Sequence, residues 1–261
     1  DEQFRGHVRL LAQCFGGLGR RRALAAAQLY LGDVGEAETS SPLPLDRARI
    51  ATFKKNHALA ARLYEEAGWI AHAAIALEHA KNDTGARILW ERLLDDHRLA
   101  NDLYVQGLVR FNHGRTCTRL GDRGAGRKSI VQSMHLLTAA ADGFEARGQR
   151  ERAFDCYGVL LTIGREGSFE NLAEGYINCI RILREDGLKN YVIQYYEDFG
   201  ELALQRKEFH AAATLFRETA DYARRQSLPY VRYYRKRSAE AHVAAADDGL
   251  AGGAPPEMAE N

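Results

Sequence analysis

The chain reads as an all-α protein built of stacked antiparallel helical hairpins, and three observations predict it. Apolar residues recur at intervals of three and four over nearly the whole length, strand-type alternation is nowhere sustained, and only five prolines occur in 261 residues. Alanine, leucine, arginine and glutamate dominate, and these residues lose little side-chain freedom in a helix. Hydrophobic residues at 46% and charged residues at 27% place the chain well outside the disordered regime.

Breaks in the periodicity mark the ends of about ten or eleven helices: Gly16 to Gly19, Asp33 to Pro44, Gly68, Asn82 to Thr84, Gly114 to Gly126, Gly148, Gly164 to Ser168, Gly187, and Ser227 to Pro229. Gly68, Gly148 and Gly187 suit the left-handed residue that closes a helix, Ser168 suits an N-cap, and Pro229 suits a first helical position. Short connections of this kind give antiparallel neighbours. One array is expected over residues 1–247. The Gly, Ala, Pro and acid composition of 248–261 predicts a disordered tail.

A helical hairpin cannot bury its apolar face alone, so copies at fixed spacing are the informative signal. Ile70, Ala73, Ala74 and Leu77, followed by Ala86 and Trp90, give large, medium, small and large residues on one helix, then small and aromatic on the next. Leu137, Ala140, Ala141, Phe144, Ala153 and Tyr157 repeat the spacing. Tyr196, Phe199, Gly200, Ala212 and Phe216 repeat it again, with Ala203 at the fourth place and Leu202 and Leu204 beside it. Ala60 with Tyr64 adds half a match. The small residues fit where two backbones approach closely, so bulk at Gly200 or Ala212 is predicted to destabilise.

On these residues the chain resembles the tetratricopeptide-repeat superfamily, over about half its length by motif. The resemblance implies a right-handed superhelix of hairpins, a solenoid that binds a protein or peptide in a concave groove. Two departures make the repeat irregular. Gly114 to Gly126 breaks the expected partner of the Leu103 to Phe111 helix, and the helices of 169–204 are longer, similar to those of the vesicle-fusion adaptors.

The resemblance places His72, Ile75, Glu78, His79, His135, Asp142, Gln194, Glu197, Asp198 and Glu201 on the groove wall. The last cluster is acidic, which favours a basic helix or peptide. A second candidate surface is arginine interleaved with tyrosine: Arg224, Arg225, Tyr230, Arg232, Tyr233, Arg235 and Lys236. Such composition serves protein hot spots and also single-stranded nucleic acid. The leading reading is therefore a scaffold or adaptor. The alternative is a sensor module of a nucleic-acid-linked regulator using the Arg/Tyr surface.

Other chemistry finds little support in the sequence. Lys plus Arg is 36 against 35 acidic residues, so no global field draws the chain to a polyanion. No stretch has the roughly 20 apolar residues of a membrane span. Gly121 to Ser129 superficially resembles a phosphate loop, but Arg127 separates the last glycine from Lys128 and no strand precedes it, so no cofactor is expected. Nine scattered histidines show no metal spacing. Cys117 near His113 is the local nucleophile candidate, set in what reads as a glycine-rich loop, and no catalytic set is expected. Four dispersed cysteines suit reduced thiols and a cytoplasmic setting.

Overall fold

The structure is a computed structural model and describes residues 2–40 and 43–252. Among these residues there is no strand, and fourteen α-helices follow in succession: α1 (Glu2–Gly17), α2 (Arg21–Leu31), α3 (Val34–Ser40), α4 (Pro44–Phe53), α5 (His57–Glu66), α6 (Ile70–His79), α7 (Asp83–Leu94), α8 (Leu103–Arg119), α9 (Arg123–Ala146), α10 (Arg150–Glu166), α11 (Phe169–Glu185), α12 (Lys189–Gln205), α13 (Phe209–Arg225) and α14 (Val231–Gly252). The all-α class and the stacking of hairpins agree with the sequence. The chain divides into two compact units, Asp1–Leu136 and Leu137–Asn261, where the sequence reading drew one array. Residues 248–252 of the predicted tail continue α14; 253–261 lie outside the described residues.

Most of the difference in helix number comes from turns at 54–56, 95–102 and 206–208 that the sequence reading did not mark, and two further segments were misread. Residues 33–44, read as a connection, contain α3. The glycines of 114–126, read as a break, lie mostly inside α8 and α9. A Cβ on Gly114 would stand 2.7 Å from Ile130 and 2.9 Å from the carbonyl of Gly126, so the absent side chains let two backbones meet. Glycine here is a packing residue and not a helix breaker.

The turns share one mechanism. At Gly68, Gly121, Gly148 and Gly187 the backbone enters the left-handed region, with φ of 77°, 85°, 69° and 72°. Lys55, Lys81, Lys207 and Ser227 take the same conformation with φ of 56–62° despite their Cβ atoms. Beyond each such residue, the next N–H reaches back to a carbonyl of the last turn: Trp69 to Tyr64 at 2.8 Å, Asn82 to Leu77 at 2.9 Å, Glu208 to Ala203 at 2.9 Å. Asn56, Asn82, Asp102 and Ser168 cap the helices that follow by accepting from backbone N–H groups. Pro229 falls short of the predicted first helical position. The Tyr234 N–H donates to the Tyr230 carbonyl, which puts the cap at Tyr230.

The motif residues form the core of each unit. Ala73, Ala74 and Ala86 are fully enclosed around Trp90 in the first, while Leu137, Ala141 and Ala153, then Ala203, Ala212 and Phe216, are fully enclosed in the second. Burying each large side chain of this set stabilises the fold by about 1.5–3 kcal/mol. Tyr176 stacks on Phe199 with ring centroids 4.7 Å apart and an interplanar angle of 6°.

Candidate interaction surfaces

The local nucleophile candidate, Cys117, lies in a helix and not in a glycine-rich loop. Cys117 is on α8 with none of its surface exposed, one turn from His113, whose Nε2 is 3.4 Å from its Sγ. His113 Nδ1 is 3.0 Å from the Ser129 hydroxyl, and Nε2 is 3.6 Å from the Glu91 carboxylate. Burial pushes the Cys117 thiol above its ordinary value and holds His113 below its own. The result is a neutral thiol beside a neutral imidazole, the reverse of an activated thiolate. Residues 121–129 form a turn and the start of α9, and the Ser129 hydroxyl is buried against His113. Among the described residues no three His, Cys, Asp or Glu side chains converge as a metal site would require.

On α6, His72, Ile75 and His79 are exposed. His72 packs on the rings of Tyr64 and Trp69 at 5.3 and 4.8 Å, and His79 faces His57 at 5.2 Å. Glu78 turns inward. It accepts from the Trp90 indole at 3.0 Å and the Thr116 hydroxyl at 2.6 Å, and it pairs with Arg119 at 3.0 Å. The same device recurs in the second unit, where Glu145 accepts from the Tyr157 hydroxyl at 3.0 Å and pairs with Arg181. Each carboxylate follows the fourth motif residue, and each donor is the sixth. The third motif has Leu204 and Phe216 at these places, and there Arg237 lies over the Phe216 ring at 4.7 Å. His135 and Asp142 are exposed on α9, in the first and second unit respectively.

The two surfaces predicted on α12 and α14 meet each other. Glu197 accepts from the hydroxyls of Tyr234 at 2.9 Å and Tyr233 at 3.5 Å, and Glu201 pairs with Arg237. Burial and then the Glu197 contact push the Tyr234 phenol up, while the Glu201 hydrogen bond raises Arg237. Two of the three acids of this wall are thereby engaged by α14, Glu201 in an ion pair and Glu197 by hydroxyl donors, and Gln194 and Asp198 stay exposed. Arg224 pairs with Asp221 at 3.0 Å and Lys236 with Glu240 at 3.6 Å. Arg225, Arg232 and Arg235 are exposed, with no carboxylate at ion-pair distance among the described residues, and Tyr230 and Tyr233 are 45% and 46% exposed.

Sequence reasoning missed a cleft of about 480 Å³ between α11, α12 and α13. Its floor is Ile180, Phe199 and Leu215, and its edges are Ile177, Tyr196, Arg181, Arg184 and Glu185. Ile177 is 60% exposed, unusual for a branched aliphatic residue on a packed helix. Arg184 lies over the Tyr222 ring at 5.6 Å, and no carboxylate stands at ion-pair distance from it among the described residues. The signal was present in the long amphipathic periodicity of α11. Ile177 simply falls on the edge of its apolar face, where sequence cannot separate core from rim.

No family model and no curated protein matches the chain. Among solved structures, the crystal structure of the apo form of RapI is similar at 12% identity, covering 93% of this chain and 99% of that chain with a TM-score of 0.42.

The exposed chemistry at these surfaces is thus aliphatic, aromatic and cationic, with acidic groups at Asp142 and Asp198. It can bind by burying apolar area and pairing charge. The two nucleophiles beside His113, the Cys117 thiol and the Ser129 hydroxyl, are both enclosed, and the thiol and the imidazole are uncharged. Among the described residues no helix is long and apolar enough to cross a membrane.

Proposed function

We propose that the chain is a helical-repeat docking module, a scaffold or adaptor that binds a partner protein or peptide and performs no reaction. The observation that carries this reading is the α11–α13 cleft, where an apolar floor is rimmed by exposed Ile177 and by Arg184, which has no acidic partner among the described residues. An apolar floor with aromatic and arginine edges is the composition of protein interfaces. The concave groove and its basic ligand, expected from the sequence, receive less support, because Glu78, Glu197 and Glu201 are already committed to intramolecular partners. The nucleic-acid reading loses Tyr234 and Arg237 to the same pairing, leaving Arg225, Arg232 and Arg235 as its support. A cytoplasmic setting is proposed on four cysteines that form no disulfide.

The test is affinity capture with the full chain beside an Ile177→Asp variant. A partner retained by the first and lost from the second supports the cleft. Equal retention of every partner removes it.

A further inference from the structure

The charges around the α11–α13 cleft are not balanced, and the imbalance says what kind of segment fits there. Glu185, the carboxylate in the lining, is held by Arg150 and Arg181, both at 3.5 Å. Arg181 is in turn engaged by Glu145. These groups satisfy one another and leave little charge for a ligand. Arg184 and Arg225 differ: both are exposed, Arg184 lies over the Tyr222 ring at 5.6 Å, Arg225 stands three residues beyond Tyr222 on the same helix, and neither has a carboxylate at ion-pair distance among the described residues. Tyr222 is buried at 5% exposure and sits 6.4 Å from Tyr196, ring to ring, so it ties the arginine pair to the edge of the cleft.

We propose that this cleft takes an acidic peptide segment bearing a large apolar side chain, with the apolar group on Ile177, Ile180 and Leu215 and the carboxylates on Arg184 and Arg225. The inference rests on the docking reading above and specifies its partner. Arginine presents a planar donor fork matched to carboxylate, and a guanidinium already stacked on a ring loses little freedom when it binds. The sign is opposite to the basic ligand that the acidic residues of α12 suggested. A single nucleic-acid strand fits less well, because Phe199 is buried and already stacked on Tyr176, which leaves Tyr196 as the lone accessible ring of the lining where successive bases would need several.

A random twelve-residue peptide library displayed on phage and panned on the full chain tests this. The expected result is enrichment of peptides combining Asp or Glu with Leu, Ile or Phe. The leading synthetic peptide should lose at least tenfold in affinity on Ile177→Asp and on the double change Arg184→Glu with Arg225→Glu. Its affinity should fall with salt, since the pairing charges are exposed. A peptide with its acids changed to lysine should regain binding to the double variant, a rescue that a misfolded protein would not give; circular dichroism checks that the exposed-site variants keep their helix. Enriched peptides that are neutral or basic yet sensitive to Ile177→Asp would overturn the acidic assignment and leave the docking site standing. No peptide sensitive to Ile177→Asp would overturn both. Tight binding of a labelled single-stranded 30-mer that needs Arg184 and Arg225 would assign the cleft to nucleic acid instead.

Discussion

The Tyr234 hydroxyl donates to the Glu197 carboxylate at 2.9 Å, joining α14 to α12 across 37 residues of chain. A buried phenol that loses its acceptor pays for desolvation unaided, so the pair is structural before it is anything else. Tyr234→Phe is expected to lower stability by about 1 kcal/mol in urea unfolding. In a double-mutant cycle with Glu197→Ala, a coupling near zero would show that the two side chains act independently.

Glu145 predicts a specific response to acid. Burial works against its charge, but the hydrogen bonds from Arg181 and Tyr157 outweigh it and hold the carboxyl below the ordinary 4.5. A carboxylate with a lowered folded-state pKa stabilises the protein above its unfolded value, and that contribution is lost as pH falls through the folded value. Glu145→Gln should therefore cost about 1 kcal/mol at pH 7, discounted for partial exposure, and flatten the decline in stability below about pH 4.5. Thermal melts from pH 7 to pH 3 of both proteins decide it; parallel curves would contradict the assignment.

Two glycines in helices should respond to alanine with opposite signs. A Cβ at Gly200 would lie 2.7 Å from the Phe216 ring, which is fully buried and covered by Arg237, so Gly200→Ala should cost about 1–3 kcal/mol. Gly158 has nothing within 4 Å of that position, and Gly158→Ala should gain up to about 1 kcal/mol from helix propensity alone. Denaturation midpoints of the two variants measure both.

Thiol reactivity should divide the cysteines one against three. Cys14 is exposed, while Cys117, Cys156 and Cys179 are buried, and burial pushes Cys179 up to about 12. Native protein with iodoacetamide at pH 7.5 should label Cys14 first, the others only after unfolding. Rapid native labelling of Cys117 would reopen the case for chemistry at His113.

The helical class and the three motif cores were legible because period and residue size alone determine them: Ala86 under Trp90, Ala153 beside Tyr157, Gly200 against Phe216. The turns at Lys55 and Lys207 were illegible because a lysine in the left-handed region has no sequence mark. Gly114 and Gly126 were misread because glycine serves helix breaks and helix crossings alike, and only the position of Ile130 tells them apart. The candidate surfaces were found in part. Residue type located Glu197, Glu201 and the Arg/Tyr stretch, but nothing in the sequence signals that Glu201 pairs with Arg237, or that Glu197 accepts from Tyr234, across 36 or 37 residues. The cleft beside Arg184 was missed for the same reason in reverse: an arginine lacking an acid looks like any other until its surroundings are known.

The lysine turns have one more consequence. Lys55, Lys81 and Lys207 hold a backbone shape that their own Cβ atoms resist by roughly 1 kcal/mol each, so neighbouring helices must supply the closing force. A single hairpin excised as a peptide would lose that help and fray first at these corners, and cooperative melting would return only with the number of hairpins kept together.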